Sequence, residues 1–277
     1  MAELDVIEIL KIIIIGIIEG ITEWLPVSST GHMLIFDQLF MPLNATEGFK
    51  EMFFVVIQLG AILAVVVMFW KKLFPFGFKG KLTVKTDIIK MWLKVAVACL
   101  PSAVLGIMFD DLLEKYFGNA FTIALMLIVY GIAFIIIEKW NAHRTPKLQS
   151  IDEIGFLPAF LIGAFQVLSL IPGTSRSGAT IIGALIMGVS RTAAAEFTFF
   201  LAIPTMLGAS LIKMLKFGFE FTGAEIAALG IGSAVAFIVS LAAVKFLMDF
   251  VKRHDFSVFG WYRIAVGAAI ILISVIG

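Results

Sequence analysis

Glu19 and Glu23 stand four residues apart, a spacing that stacks two carboxylates on one face of a helix. Their surroundings (Ile12–Ile18, Trp24, Leu25) are apolar. A charged side chain deep in a bilayer costs about 2.5–3.5 kcal/mol on insertion scales, so acids in such a setting are read as functional. The bland alternative is a helix end wetted by interfacial water. Just downstream, Ser28-Ser29-Thr30-Gly31-His32 supplies three hydroxyls, a permissive glycine and an imidazole ahead of another apolar run. Free N–H groups and the dipole at such a helix start favour an anion. Simple N-capping would account for one hydroxyl but not for three beside a histidine.

A second polar stretch, Thr174-Ser175-Arg176-Ser177-Gly178-Ala179-Thr180, sets an arginine among serines at the start of an apolar helix. Guanidinium stays charged and presents a planar fork suited to phosphate oxygens. Ser28, Thr30, Ser175, Arg176, Ser177 and Thr180 are therefore the expected phosphate cradle. A purely structural bridge from Arg176 to Glu19 or Glu23 is the competing reading. Two acids, one arginine and one histidine leave a pocket near neutral or negative, although its loops suit an anion. Either a Glu is protonated or a divalent cation, Mg²⁺ or Ca²⁺, is held by Glu19 and Glu23 with phosphate oxygens.

These residues must be positioned by apolar helices. Of 277 residues, 61% are hydrophobic and 15% charged, with a mean hydropathy of +1.06; soluble domains run at about 25% charged. With 21 bases against 20 acids and one cysteine, a disulfide scaffold, a disordered chain and a nucleic-acid-binding module are excluded. The composition is that of an all-α polytopic membrane protein. Six stretches, about 52–70, 91–109, 120–138, 196–213, 225–247 and 259–276, are long enough to cross a bilayer core. Two further regions, about 6–36 and 154–190, read as re-entrant helical hairpins, because broken backbone is tolerated at membrane depth only under protein or beside water.

With the hairpins re-entrant, 15 of the 21 bases fall on one side: Lys71, Lys72, Lys79, Lys81, Lys85, Lys90, Lys94, Lys139, Arg144, Lys147, Arg191, Lys245, Lys252, Arg253 and Arg263. The positive-inside rule makes that side cytoplasmic and places both termini outside. Asp110, Asp111 and the lysine-rich segment 71–90 read as solvated loops, Ser190-Arg191…Glu196 as a helix cap and first turn, and Gln58, Gln166 and Ser169 as polar residues around the site. The chain (1–277) is expected to be one membrane domain written twice, with halves of about 1–148 and 149–277. Gly16…Glu19, Pro26 and Ser28–Gly31 are echoed by Gly163…Gln166, Pro172 and Ser175–Gly178, and Leu59-Gly60-Ala61 by Leu207-Gly208-Ala209. A hairpin plus three spans is an odd number of crossings, which makes the repeat inverted and puts a site where broken helices meet.

Glu19-Gly-Ile-Thr-Glu23-Trp-Leu-Pro-Val-Ser-Ser-Thr-Gly-His32 and Pro172-Gly-Thr-Ser-Arg-Ser-Gly-Ala-Thr180 resemble the two signature motifs of the undecaprenyl-diphosphatase (bacitracin-resistance) family, and the stretch Val56–Trp70 is similar to that family as well. The resemblance covers essentially the whole chain. It implies six spans with two re-entrant hairpins in an inverted repeat. It also implies removal of the terminal phosphate of undecaprenyl diphosphate to recycle the lipid carrier for peptidoglycan synthesis, with divalent-cation support and a site open to the outer face of the bacterial cell membrane. By the same resemblance the functional residues are Glu19, Glu23, Ser29, His32, Ser175, Arg176 and Thr180.

On this reading the lipid tail lies between spans while the diphosphate enters the cavity, where Arg176 and the hydroxyls offset charge in the transition state. Ser29, His32 or an activated water is the nucleophile, with Ser29 preferred and His32 or Glu23 as its base. Inverted repeats with broken helices are also a transporter architecture, so a lipid-phosphate flippase or anion carrier is the alternative. Membrane lipids and the diphosphate lipid are the expected partners, along with a homodimer; nucleic acid is not.

Overall fold

The computed structural model describes residues 4–79 and 81–276; the side chains of 78, 79, 81, 82, 110, 111, 114, 275 and 276 lie outside that description. Most of it is helical. Two short helices, α1 (Val6–Thr22) and α2 (Ser29–Ile35), are joined by a turn, and α2 runs on into a π-helical turn over Phe36–Phe40. Then come α3 (Glu47–Val56), α4 (Gln58–Met68), α5 (Trp70–Leu73), α6 (Thr86–Phe117) and α7 (Ala120–Asn141). A second broken pair, α8 (Phe156–Gln166) and α9 (Arg176–Ile186), precedes α10 (Arg191–Phe217), α11 (Gly223–Phe250) and α12 (Ser257–Ile276).

Among the described residues, six helical segments are long and apolar enough to cross a membrane: Glu47–Met68, Thr86–Phe109, Ala120–Asn141, Arg191–Phe217, Gly223–Phe250 and Ser257–Ser274. They coincide with the six expected spans. The first is interrupted at Ile57, between α3 and α4. Ser190 caps α10 as its sequence predicts, its side chain accepting from Ala193 N.

Three local expectations are corrected. Segment 71–90 is not an open loop: α5 is followed by an antiparallel hairpin of β1 (Phe76–Lys79) and β2 (Lys81–Val84), and α6 begins at Thr86. Phe76, Phe78, Leu82 and Val84, spaced by two, give that ribbon the alternation a strand needs. Residues 110 and 111 lie within the helical run of α6, because Phe109 and Leu112–Leu113 carry the apolar pattern past them. Arg263 is not a cytoplasmic surface charge; it is 0% exposed.

The packing partners have a pattern. α1 lies on α11 and α8 on α6; α4 lies on α11 and α10 on α6; α3 meets α10 and α7 meets α12. Exchange of the residues before and after about 148 maps these pairs onto one another. Small residues allow the close approaches: a Cβ at Gly60 would overlap the Ser233 carbonyl, and one at Gly163 would overlap that of Ala98. Such small-residue contacts let helix backbones come together where lipid supplies no hydrophobic drive.

Candidate active site

The two breaks share one backbone solution. α1 closes its last turn with Glu23 N donating to Glu19 O at 3.0 Å. Pro26 then forbids continuation of the helix. The chain turns through Ser28, at φ 78° and ψ 88°, into α2. In the second break α8 tightens into a 3₁₀ turn over Val167–Leu170, passes Gly173 at φ +91°, and enters α9 through Ser175 at φ 74°. Gly173 admits no other residue, because a Cβ there would meet the Ile123 backbone at 2.6 Å as well as the unfavourable φ. Ser28 and Ser175 are the two described non-glycine residues at positive φ. Each such residue costs on the order of 1–3 kcal/mol, and such strain clusters at functional sites.

Both breaks come together. Glu23 is the hub: its Oε2 accepts from Ser29 Oγ at 2.5 Å and its Oε1 from Arg176 Nη2 at 2.9 Å. Its main-chain carbonyl accepts from Ser177 Oγ at 3.2 Å. Arg176 also donates through Nη1 to Thr198 O at 2.9 Å, while its buried Nε has no partner in the protein. Trp24, wholly buried, meets the Phe199 ring edge-on with centroids 5.1 Å apart and walls this group off. The bridge from Arg176 to Glu23 is thus formed, and it is part of a longer chain that includes the Ser29 hydroxyl.

Glu19 is 0% exposed, and neither of its carboxylate oxygens has a hydrogen-bond partner in the protein. A buried polar atom without a partner demands an explanation. Among the described residues there is no group of three or more His, Cys, Asp or Glu side chains arranged for a metal. Both Glu19 oxygens have open lone pairs, and each Glu23 oxygen, accepting one hydrogen bond, keeps one, so the two carboxylates could hold a cation. That suits Mg²⁺, which commonly takes one or two protein carboxylates and fills its shell with waters and phosphate oxygens.

His32 stands apart from this chain. Its Nδ1 lies 2.7 Å from Ser28 O, a group that only accepts, so Nδ1 carries the proton. In the neutral ring Nε2 then accepts from Tyr262 Oη, 2.9 Å away, and the two rings stack at 5.7 Å. The Ser29 hydroxyl is therefore hydrogen-bonded to Glu23 and not to His32.

Among the expected cradle residues, Ser175 Oγ caps α9 by accepting from Gly178 N at 3.1 Å and lies 3.1 Å from Ser177 Oγ. Thr180 is spent inside the protein. Its hydroxyl reaches Arg176 O at 2.9 Å, Ser177 O at 3.1 Å and Thr198 Oγ1 at 3.0 Å, so it ties α9 to α10. Ser28 makes no side-chain cap bond. Thr30 lines a cavity of about 270 Å³ that continues past Leu34, Asp37, Lys50, Glu51 and Lys213. Gln166, buried, and Ser169, half-buried, form their own group, in which Gln166 Nε2 donates to Ser102 Oγ at 2.6 Å and Ser169 Oγ to Gln166 O at 2.7 Å. Gln58 is buried on α4.

Sequence reasoning missed Thr198, Tyr262 and Arg263. Thr198 carries no signal of its own in a run of phenylalanines. Arg263 could have been suspected, since it lies inside the apolar stretch 259–276 rather than at its edge.

Comparison with known proteins places the chain in a family. Residues 12–269 match the family model described as bacitracin resistance protein BacA. The chain is 64% identical over 275 residues to an undecaprenyl-diphosphatase of Enterococcus faecalis, covering 99% of both chains. It is 59% identical over 267 residues to one of Lachnoclostridium phytofermentans, covering 96% of this chain and 97% of the relative. The figure for one of Desulfitobacterium hafniense is 56% over 267 residues, covering 96% of each. Matched over residues 12–269 and carrying six apolar helices of membrane-spanning length among its described residues, the chain belongs to the bacitracin resistance protein BacA family of integral membrane proteins.

Proposed function

We propose that this protein removes the terminal phosphate from undecaprenyl diphosphate, returning undecaprenyl phosphate to peptidoglycan synthesis and so conferring bacitracin resistance. The observation that carries this is the chain Ser29–Glu23–Arg176, which joins a nucleophile, a base and a phosphate-seeking cation across two breaks at buried depth. The diphosphate enters by the cavity at Thr30, on the outer face of the cell membrane, and the tail stays among apolar spans. The breaks are re-entrant hairpins of an inverted repeat, and both termini lie outside. The symmetric helix pairs support the repeat, and the one-sided distribution of bases supports the orientation.

The incoming phosphate competes with Glu23 for Arg176. As the guanidinium turns to phosphate oxygens, Glu23 stays hydrogen-bonded to the Ser29 hydroxyl, placed to take its proton. Ser29 Oγ then bonds to the terminal phosphorus, its proton passes to Glu23, and the bridging P–O bond breaks to release the monophosphate lipid. Water hydrolyses the phosphoserine in a second step. Arg176, Ser175, Ser177 and the first amides of α9 hold the phosphoryl oxygens, with Ser28 and Thr30 on the opposing turn. Glu19 would hold a divalent cation, which neutralises phosphate charge. His32, fixed by Tyr262, stays at the wall of the pocket and orients the headgroup.

Purified protein in detergent should release inorganic phosphate from undecaprenyl diphosphate. Ser29→Ala and Glu23→Gln should each lower kcat by about 10³-fold, since members of one catalytic unit fail together. Acid quenching with terminally labelled substrate should trap label on Ser29. Near-normal turnover by Ser29→Ala would sink the serine route and leave activated water. The paired broken helices are the observation that favours a transport reading, and a protein that moves the lipid without releasing phosphate would establish it.

A further inference from the structure

Arg263 has an unusual set of partners. Its guanidinium donates from Nη1 to Pro26 O at 3.0 Å, and from Nη2 to Gly173 O at 2.8 Å and Thr174 O at 2.9 Å. Longer contacts at 3.4 Å run from Nε to Leu127 O and from Nη2 to Met126 O, both on α7. Every one of these acceptors is a main-chain carbonyl, and the side chain is 0% exposed. One planar group therefore touches both polar breaks at once. Pro26 lies two residues before the left-handed Ser28, and Gly173 and Thr174 lie just before the left-handed Ser175.

Broken helices leave carbonyls without intrahelical donors, and a dry interior penalises them. Arg263 satisfies three at once. In a trans peptide the N–H points opposite to the C=O, so holding these carbonyls sets the tilt of the peptide units that lead into Ser28 and Ser175. It also leaves a full positive charge behind the two turns. The preceding residue on α12, Tyr262, holds His32. We infer that Arg263 is a positioning residue for phosphoryl transfer: it locks the turn that carries Ser29 and the turn that carries Arg176 in one register. This rests on the phosphatase reading of the site.

The test compares wild type with Arg263→Lys, which keeps the charge but cannot fork to two turns. Turnover of undecaprenyl diphosphate in detergent should fall by about 10²-fold in kcat, with KM changed by less than about threefold, because misplacement of about 1 Å costs that much. Amide hydrogen exchange should quicken by about tenfold or more in segments 24–30 and 172–178 together, while the long spans keep their protection. Gly178→Ala is the second variant, since a Cβ there would crowd Arg263 Nη1 at 3.3 Å and Ser175 Cβ at 3.3 Å. Alanine is otherwise favoured in a helix, so this variant should fold, exchange faster at both turns and lose about tenfold in kcat. It carries the test if Arg263→Lys does not yield monodisperse protein. Wild-type kcat in folded variants, or faster exchange at one turn only, overturns the inference. An inactive wild type with both turns still loosened by Arg263→Lys would instead overturn the phosphatase reading and leave the clamp standing.

Discussion

The two breaks are alike in backbone and opposite in chemistry. Each ends a short apolar helix, turns through a serine at positive φ, and starts a second helix at the next residue. Yet the first brings Glu19, Glu23 and the Ser29 hydroxyl, whereas the second brings Arg176 with Ser175 and Ser177. Glu19 and Gln166 stand at matching places, just as Ser28 and Ser175 do. Glu19 keeps two partnerless oxygens, while Gln166 leaves one, its Oε1, and donates through Nε2 to Ser102 and, at 3.3 Å, to Thr205. The difference teaches that one backbone device can present different chemistry: two carboxylates on the first turn, a guanidinium on the second.

The strongest way to break this contrast is to remove the cation. Arg176→Ala should cost about 10³-fold or more in phosphate release, the range seen for a single arginine that stabilises a transferring phosphoryl group. Arg176→Lys should recover only part of it, for want of the bidentate fork. Normal rates in the alanine variant would mean that the second turn only supports the first.

Making the two halves chemically alike is the next test. Glu19→Gln should lower kcat by about 10²-fold and flatten the response to added Mg²⁺ in a titration after EDTA treatment. Retained Mg²⁺ dependence would move the cation away from Glu19. Gln166→Leu, in the matching position, should leave kcat within about threefold and cost on the order of 1 kcal/mol in stability, one buried hydrogen bond.

Packing gives a sharper contrast between letters and structure. Gly60 and Gly208 match in sequence, but a Cβ at Gly60 would overlap the Ser233 carbonyl and its neighbouring backbone, whereas nothing lies within 4 Å of one at Gly208. Gly60→Ala should destabilise by about 1–3 kcal/mol or more, through overpacking against backbone. Gly208→Ala should be neutral or stabilising by up to about 1 kcal/mol. Thermal unfolding in detergent distinguishes them, and equal losses would show that the halves pack more alike than these contacts indicate.

The smallest effect is expected at the strained serines. Ser28→Gly relieves positive φ without loss of a cap bond and should hold or raise stability by up to about 1 kcal/mol. Ser175→Gly gains the same relief but loses its cap on Gly178 N, and should fall below Ser28→Gly by a few tenths of a kcal/mol up to about 1. A marked loss in Ser28→Gly would give that hydroxyl a structural task not visible in its bonds.

Much of this was legible in the chain. The six spans were readable because apolar runs of bilayer length have few other uses, and the breaks because Pro26, Pro172 and the clustered hydroxyls interrupt such runs. The hairpin in 71–90 was hidden by its lysines, whose charge outweighed the alternation of Phe76, Phe78, Leu82 and Val84. His32 sits in the first motif, yet its bond goes to Tyr262, 230 residues away, rather than to Ser29. Arg263 lies inside the apolar run 259–276, yet no local pattern shows that it turns inward to carbonyls of both breaks instead of joining the cytoplasmic bases.

By itself the sequence determined the membrane class, the number of spans, the two polar breaks and the residue types that meet there, all of which follow from local composition and the cost of charge in lipid. Only the tertiary structure decided the partners: that Glu23 rather than His32 takes Ser29, that Arg176 closes on Glu23, and that Arg263 ties both turns. The physical reason is that a guanidinium or carboxylate in a dry interior must find whichever complementary groups the packed helices bring within about 3 Å. That choice rests on which distant segments become neighbours, and no local pattern records it.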